Sequence, residues 1–419
     1  MADEQLSKDL LMEVLIRLPV KSIIKFKCVS KTWCDLIRDP VFIQGHQKRN
    51  GKERVLLVKQ YSSPQNGDGE EFSFSDLSIP ISDDFYGHLH MMIQNLPPQS
   101  GGGETFSSHD QEFPEPEDLV SPNLSISILN SLNIPWHRHS NIPIHGPCNG
   151  IVCITFEKTV FLCNPALREF KLLPPPGFPE GYIPFPFQYG FGFDPITGAY
   201  KVIQISDMRH EVPKQAEFWH RPKMNSLRID LYNSASDSWK QIHGVKLPNL
   251  SYLPGHELLY NGTIHWAIIA ADSFPCILCF DVSTETFRQL EFHDNFGPSE
   301  RDLRLMEFNE RLAVVRYSPD QWIEPRKIEI WVMTEYGEKG SWTKQFVIPP
   351  YCDICPFTFL KNELVLVESG NGRSASCELH GNQFKGFQFY GAHRSMTAVF
   401  YNESLISLNE ITGSDRRDE

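Results

Sequence analysis

Leu6-Ser-Lys-Asp-Leu10-Leu11-Met-Glu-Val14-Leu15-Ile-Arg-Leu18-Pro19-Val-Lys-Ser-Ile23-Ile24-Lys-Phe26-Lys-Cys28-Val29-Ser30-Lys-Thr-Trp33-Cys-Asp-Leu36-Ile37 is the stretch that decides how this chain is built. Leu10, Val14 and Leu18 recur at helical spacing with Leu11 and Leu15 beside them, which predicts a helix with a wide apolar face. Pro19 stops that helix and can open the next, because proline is tolerated in a first turn. Ile23, Ile24 and Phe26 continue the stripe. Ser30 is a candidate N-cap for a third short helix carrying Trp33, Leu36 and Ile37. A unit of about forty residues is too small to bury all these faces within itself. Part of this apolar surface is expected to meet a partner or the rest of the chain.

The run Arg17-Leu-Pro-Val-Lys-Ser-Ile-Ile-Lys-Phe-Lys-Cys-Val-Ser-Lys-Thr-Trp33 resembles the F-box of plant proteins almost residue for residue, and the resemblance covers about residues 5 to 45. It implies binding to a Skp-type adaptor and, through it, to the cullin and RING subunits of a ubiquitin ligase. The residues it assigns to adaptor binding or to the module's own packing are Leu6, Leu10, Val14, Leu15, Leu18, Pro19, Ile24, Cys28, Val29 and Trp33. The family usually opens with Leu-Pro where this chain has Leu6-Ser7. Ser7 can cap the first helix instead, with Asp9 favourable at the positive end of its dipole. The alternative is an ordinary helical cap on a larger domain.

No run approaches the length of a membrane-spanning helix, and Met1-Ala-Asp-Glu places acids where a secretion signal needs a basic region. The expectation is a protein of the cytosol, with the nucleus also open to it. The net charge of −13 is unevenly spread. Residues 1–59 hold 12 basic and 7 acidic residues, whereas residues 60–137 hold 12 acidic residues and no Lys or Arg. No basic patch fits a nucleic-acid backbone. An acidic stretch can speed encounter with a basic protein, or it can simply keep a loop solvated.

From residue 54 onward the chain reads as short β-type runs. One unit recurs: an aromatic or Cys, Asn or Asp, five residues, an aromatic, then a cation. It occurs as Cys163-Asn164…Phe170-Lys171, Phe193-Asp194…Tyr200-Lys201, Tyr232-Asn233…Trp239-Lys240 and Phe280-Asp281…Phe287-Arg288, with a looser copy from Trp331 through Tyr336 to Trp342. The expected structure is a hairpin whose Asn or Asp side chain starts the turn, with the returning aromatic inward and the cation outward. Leu258–Trp266, Leu305–Arg316, Phe357–Val367 and Ala398–Ser407 read as hairpins around Asn-Gly or Asn-Glu turns. Steps of 48 and 55 residues from Trp239 to Phe287 to Trp342 lie near the ~50-residue blade of a kelch-type propeller. The kelch Gly-Gly doublet is absent, and a pair of β-sandwiches is the alternative.

Gly146-Pro-Cys-Asn-Gly-Ile-Val-Cys153, Cys163-Asn-Pro-Ala-Leu-Arg-Glu-Phe170, Gly190-Phe-Gly-Phe-Asp194 and Ile330-Trp-Val-Met-Thr-Glu-Tyr-Gly337 resemble the F-box-associated domain of plant F-box proteins. Leu278-Cys-Phe-Asp-Val-Ser-Thr-Glu-Thr-Phe-Arg288 is similar to the pollen S-locus members, which recognise style ribonucleases in self-incompatibility. The fold expected is therefore a small all-α F-box of three helices (residues 1–48) followed by a large mainly-β domain, a β-propeller (49–410). Residues 64–118 are expected as an acidic, mobile insertion, and 411–419 as a tail. The partners implied are the Skp-type adaptor and a protein substrate, a basic S-ribonuclease being one such substrate.

Catalytic and metal motifs are weak. Cys276-Ile-Leu-Cys279 and Cys352-Asp-Ile-Cys355 have zinc-like spacing, yet i and i+3 on a strand face opposite ways. His88 with His90, and His137 with His139, could each share a strand face but have no acidic or Cys partner at ligand spacing. Gly190-Phe-Gly-Phe-Asp194 lacks the third glycine and the helix of a dinucleotide site, so its glycines are expected to permit tight strand packing. No nucleophile elbow, zinc-protease helix or phosphate loop occurs. The reading is a non-catalytic specificity subunit without cofactor. An enzyme on a propeller is the rival class, marked by a polar titratable cluster at the propeller mouth.

Overall fold

The computed structural model describes residues 8–50, 55–62, 71–77, 125–126, 143–156, 159–210, 227–245, 247, 250–252, 257–270, 275–296, 303–317, 327–349, 354–359, 364–369, 373–380, 383–390 and 397–411. Among these residues four helices come first: α1 (Lys8–Leu15), α2 (Val20–Phe26), α3 (Lys31–Arg38) and α4 (Pro40–Asn50). The sequence predicts three. The fourth starts from Asp39, whose Oδ1 accepts a hydrogen bond from the Val41 amide at 2.8 Å, and Pro40 occupies the first helical position, where its missing N–H costs nothing. Leu6 and Ser7 lie outside the described residues, as do the two His pairs and Cys352.

The rest is antiparallel strand, and the described strands form six sheets in chain order. Blade 1 has the order β25-β1-β2-β3, from β1 (Val55–Ser62), β2 (Glu71–Leu77), β3 (Ser125–Ile126) and β25 (Thr397–Tyr401). Blade 2 runs β4 (Ile144–Cys148), β5 (Ile151–Phe156), β6 (Thr159–Asn164) and β7 (Glu169–Leu172). Blade 3 runs β8 (Tyr182–Asp194), β9 (Ala199–His210), β10 (Leu227–Asn233) and β11 (Ser238–Ile242). In blade 4 the first strand is split into β12 (Leu250–Tyr252) and β13 (Leu258–Tyr260), both paired with β14 (Thr263–Ala270), then β15 (Cys276–Asp281) and β16 (Thr286–Glu291). Blade 5 runs β17 (Leu303–Phe308), β18 (Arg311–Tyr317), β19 (Ile328–Met333) and β20 (Trp342–Ile348). Blade 6 runs β21 (Ile354–Phe359), β22 (Leu364–Ser369), β23 (Arg373–Glu378) and β24 (Gln383–Tyr390). A last short helix, α5 (Leu408–Ile411), follows β25.

First strands of successive blades touch all the way round: β25 on β4, β4 on β8, β8 on β13, β13 on β17, β17 on β21, and β21 on β25. This is a closed six-bladed propeller, not a sandwich pair. Its cores lie between blades: Tyr200 and Tyr232 pack with Leu162 between blades 2 and 3, and Trp266 packs with Ile203 and Phe280 between blades 3 and 4. Closure joins β1 to β25, from Val55 opposite Tyr401 to Lys59 opposite Thr397. Strand β2 pairs with β1 along its whole length, so Glu71–Leu77 is part of blade 1 and not of a mobile insertion. Its alternating pattern carries that signal; the rest of 78–118 lies outside the described residues.

The recurrent unit is the hairpin the spacing predicts. Asn164 Oδ1 accepts from the Ala166 and Leu167 amides at 3.0 and 3.2 Å, Asn233 Oδ1 from Ala235 at 2.8 Å, and Asp281 Oδ1 from Ser283 and Thr284 at 3.0 and 2.7 Å. Each of these turns closes on a residue with positive φ: Arg168, Asp237 and Glu285. Three of the four close copies join the third and fourth strands of a blade. The Phe193–Lys201 copy differs, because it joins β8 to β9, the first and second. The returning aromatics bridge blades: Trp239 Nε1 donates to Pro174 O at 2.6 Å and Trp342 Nε1 to Glu291 O at 3.1 Å.

The cation does not always point out. Lys201 is buried, and its ammonium reaches Asp194 at 3.0 Å, Glu285 at 3.0 Å and Val282 O at 2.9 Å. It is a staple from blade 3 to blade 4. Two-residue turns with both φ positive close β13–β14 (Asn261, Gly262) and β17–β18 (Asn309, Glu310), the conformation that matches strand twist. Phe359 faces Val365 across β21–β22, but Ala398–Ser407 forms no hairpin: only β25 is strand, and 402–407 run on irregularly to α5. Gly190 and Gly192 are needed for close packing, since a Cβ there would stand 2.7 Å from Trp266 and 2.6 Å from Val282. No helix of the described residues is long and apolar enough to cross a membrane.

Candidate docking surface on the helical module

The module is held by a small core to which every helix contributes. Leu15, Val20, Ile23, Leu36, Ile37 and Phe42 are buried in it. After α1 the chain tightens, with Arg17 N to Val14 O at 3.2 Å and Leu18 N to Leu15 O at 3.0 Å. Pro19 then turns extended and caps α2. The elbow is pinned from α4, where buried His46 bonds Leu18 O through Nε2 at 2.9 Å. Ser30 caps α3 as predicted, its Oγ accepting from the Trp33 amide at 3.2 Å. Trp33 then meets Phe26 edge-on at 5.5 Å.

The predicted docking residues fall into two sets. Leu15 is 1 % exposed, so its side chain builds the core and cannot itself touch a partner. Leu18, Ile24 and Trp33 are half-buried against the same cluster. Leu10 and Val14, one turn apart on α1, are instead 58 % and 53 % exposed, and Val29 is 59 % exposed. Pro19 and Cys28 are exposed beside them in the chain. Exposed Lys21, Lys25 and Lys31 flank these positions. Phe42, His46 and exposed Val41 escaped the sequence reading; the Asp39-Pro40 start signal for α4 was the clue that could have found them.

A second candidate lies inside the propeller. Buried His145 on β4 contacts Glu257 Oε1 through Nδ1 at 2.7 Å and Thr155 Oγ1 through Nε2 at 2.9 Å. A carboxylate, an imidazole and a hydroxyl in line are what an activated nucleophile needs. Here, however, the Thr155 hydroxyl sits on a buried strand position. The line ties blade 2 to blade 4. The thiols of Cys276 and Cys279 face different inter-blade cores, and burial pushes them up to about 11 and about 12, so both stay protonated at neutral pH.

Two family models match the chain: the F-box domain over residues 4–44 and the F-box associated beta propeller domain over residues 117–408. The chain belongs to the F-box-associated β-propeller family. Strands β1 and β2 precede residue 117, yet they complete the propeller. The F-box/kelch-repeat protein At3g23880 of Arabidopsis thaliana is 25 % identical over 410 residues, with 96 % of each chain covered. F-box protein CPR1 of the same plant is 22 % identical, covering 95 % of this chain and 88 % of its own. Both are likenesses along the F-box and the propeller together.

Proposed function

We propose that this chain is the substrate-receptor subunit of a Skp–cullin–F-box ubiquitin ligase and is itself non-catalytic. The observation that carries the reading is the exposure of Leu10, Val14 and Val29 on a module whose core is already filled. Apolar side chains left outside a completed core mark a partner surface. The flanking lysines fit an adaptor with acidic residues around an apolar groove. The domain limits of 1–48 and 49–410 move to 1–50 and 51–410, because α4 runs to Asn50, and the place of action is the cytosol or nucleus.

Substrate contact is assigned to the propeller face away from the F-box. Ala166 and Leu167, in the β6–β7 turn, pack on the F-box core. In an antiparallel meander the connections from second to third strand and from blade to blade open on the opposite side. The β9–β10 and β16–β17 connections are of these kinds. Loops on a rigid scaffold are where recognition usually resides. A captured lysine would then be presented to a ubiquitin-charged enzyme at raised local concentration.

The narrower reading is a pollen S-locus receptor for basic style ribonucleases. It is supported by the likeness of Leu278–Arg288 and by the acidic surplus of 60–137. Much of that likeness is hairpin chemistry, since Asp281 and Phe287 hold the β15–β16 turn. The test of both readings is one pull-down with the receptor–adaptor complex. Failure to recover any adaptor removes the ligase reading. A style-extract eluate without a basic secreted ribonuclease removes only the narrower one.

A further inference from the structure

The F-box core is not built by the F-box alone. Leu405, from the segment after the closing strand, is buried in the same cluster as Leu15, Ile23, Leu36 and Phe42. That segment is fixed to blade 2 by its backbone. Asn164, whose Oδ1 shapes the β6–β7 turn, donates through Nδ2 to Ser404 O at 3.0 Å and Ile406 O at 2.8 Å. Glu169 Oε2 accepts from the Ser407 hydroxyl at 2.9 Å and the Leu408 amide at 2.7 Å. At Gly150 a Cβ would overlap Asn402 O, so the β4–β5 turn presses against the same segment. The result is a stiff strap, bonded to blade 2 on one side and offering a leucine to the helices on the other.

We propose that residues 402–408 lock the F-box onto the propeller, with Leu405 as the positioning residue that fixes the angle between the adaptor surface and the far face. This rests on the receptor reading for its purpose but not for its geometry. A receptor raises the local concentration of a substrate lysine only if the span between its two ends is held near one value; a swinging joint spreads that concentration over many positions. A buried Leu405 with only Ala166 and Leu167 beside it from the propeller side of the cluster is a contact that one introduced charge can open.

The test uses the full chain, alone and with a Skp-type adaptor. Leu405→Asp attacks the contact from the strap, Leu167→Asp from the blade, and Leu405→Met is the conservative control. Small-angle scattering should give a larger radius of gyration for both Asp variants. Proteolysis between residues 50 and 55 should accelerate at least tenfold, while adaptor co-purification stays at the wild-type level. Leu405→Met should match the wild type in all three. Should an Asp variant not fold, Leu405→Ala is read in the same way. Scattering and cleavage unchanged from wild type in the folded variants would overturn the strap. Wild-type chain that captures no adaptor would remove the receptor reading, yet scattering of the chain alone would still decide the lock.

Discussion

His265 and Tyr336, 71 residues apart in the chain, meet at 2.7 Å between Nε2 and the phenol oxygen. Arg288 donates to the same oxygen at 2.7 Å, and its guanidinium lies 5.1 Å above the Tyr336 ring. The phenol therefore accepts from Arg288 and donates to a neutral His265, whose Nδ1 faces Leu258 O at 3.3 Å. Blade 4 is thereby tied to the β19–β20 turn of blade 5.

Acid should loosen that tie. Burial, reinforced by the Arg288 charge, pushes His265 down to about 4 from its ordinary 6.5. The unfolded chain takes up this proton near pH 6.5 and the folded one only near 4. The stabilisation is complete above 6.5, falls as pH drops, and is gone below 4, a change of about 3 kcal/mol at 1.36 kcal/mol per unit. Urea unfolding between pH 4 and 6.5 should show this slope in the wild type and a flatter one in His265→Gln. Equal slopes would refute the assignment.

Adaptor binding and F-box stability should separate by residue. Leu10→Asp and Val14→Asp, at exposed positions, should abolish adaptor co-purification while thermal unfolding is unchanged. Leu15→Ala should cost about 2–5 kcal/mol through the cavity it leaves, so any loss of adaptor there reports unfolding. A Leu10→Asp/Val14→Asp chain that still recovers adaptor at wild-type yield would place the docking surface elsewhere.

The Lys201 staple should be sensitive to removal of one partner. Its ammonium and the Asp194 carboxylate are 3 % and 1 % exposed. Lys201→Met leaves Asp194 buried without its cation, which costs about 3–5 kcal/mol. Lys240→Met, at the exposed end of the same network, should cost under about 1 kcal/mol. Comparable losses in the two variants by chemical unfolding would mean that the network is solvated.

Propeller text was legible where local chemistry dictates structure. Asn164, Asn233 and Asp281 form turns through their own side chains, and Asn261-Gly262 forces a tight hairpin, so each unit speaks for itself. The inward turn of Lys201 is not legible in its own hairpin, because its partner Glu285 belongs to another blade and no local pattern shows a non-local charge. Ala398–Ser407 looked like a hairpin, but Asn164 and Glu169 hold its second half in another conformation. In the F-box, helical spacing found the apolar residues yet could not separate Leu15, inside, from Val14, outside.

Strand β2 makes deletion of 64–118 a severe change. The cut removes one of the two strands paired with β1, and the melting temperature should fall by about 10 °C or more, the scale of several kcal/mol in a domain of this size. A deletion protein melting with the wild type would show that blade 1 closes without β2.

Blade 1 also sets a timetable for synthesis. The second edge of residues 55–59 stays unpaired until residues 397–401 exist, so the ring stays open while blades 2 to 6 emerge. During that interval one edge of β1 offers unpaired backbone groups, the kind of edge that invites pairing with other chains. A ribosome that stalls before residue 397 would release a propeller without its clasp, a sticky molecule rather than a shortened receptor.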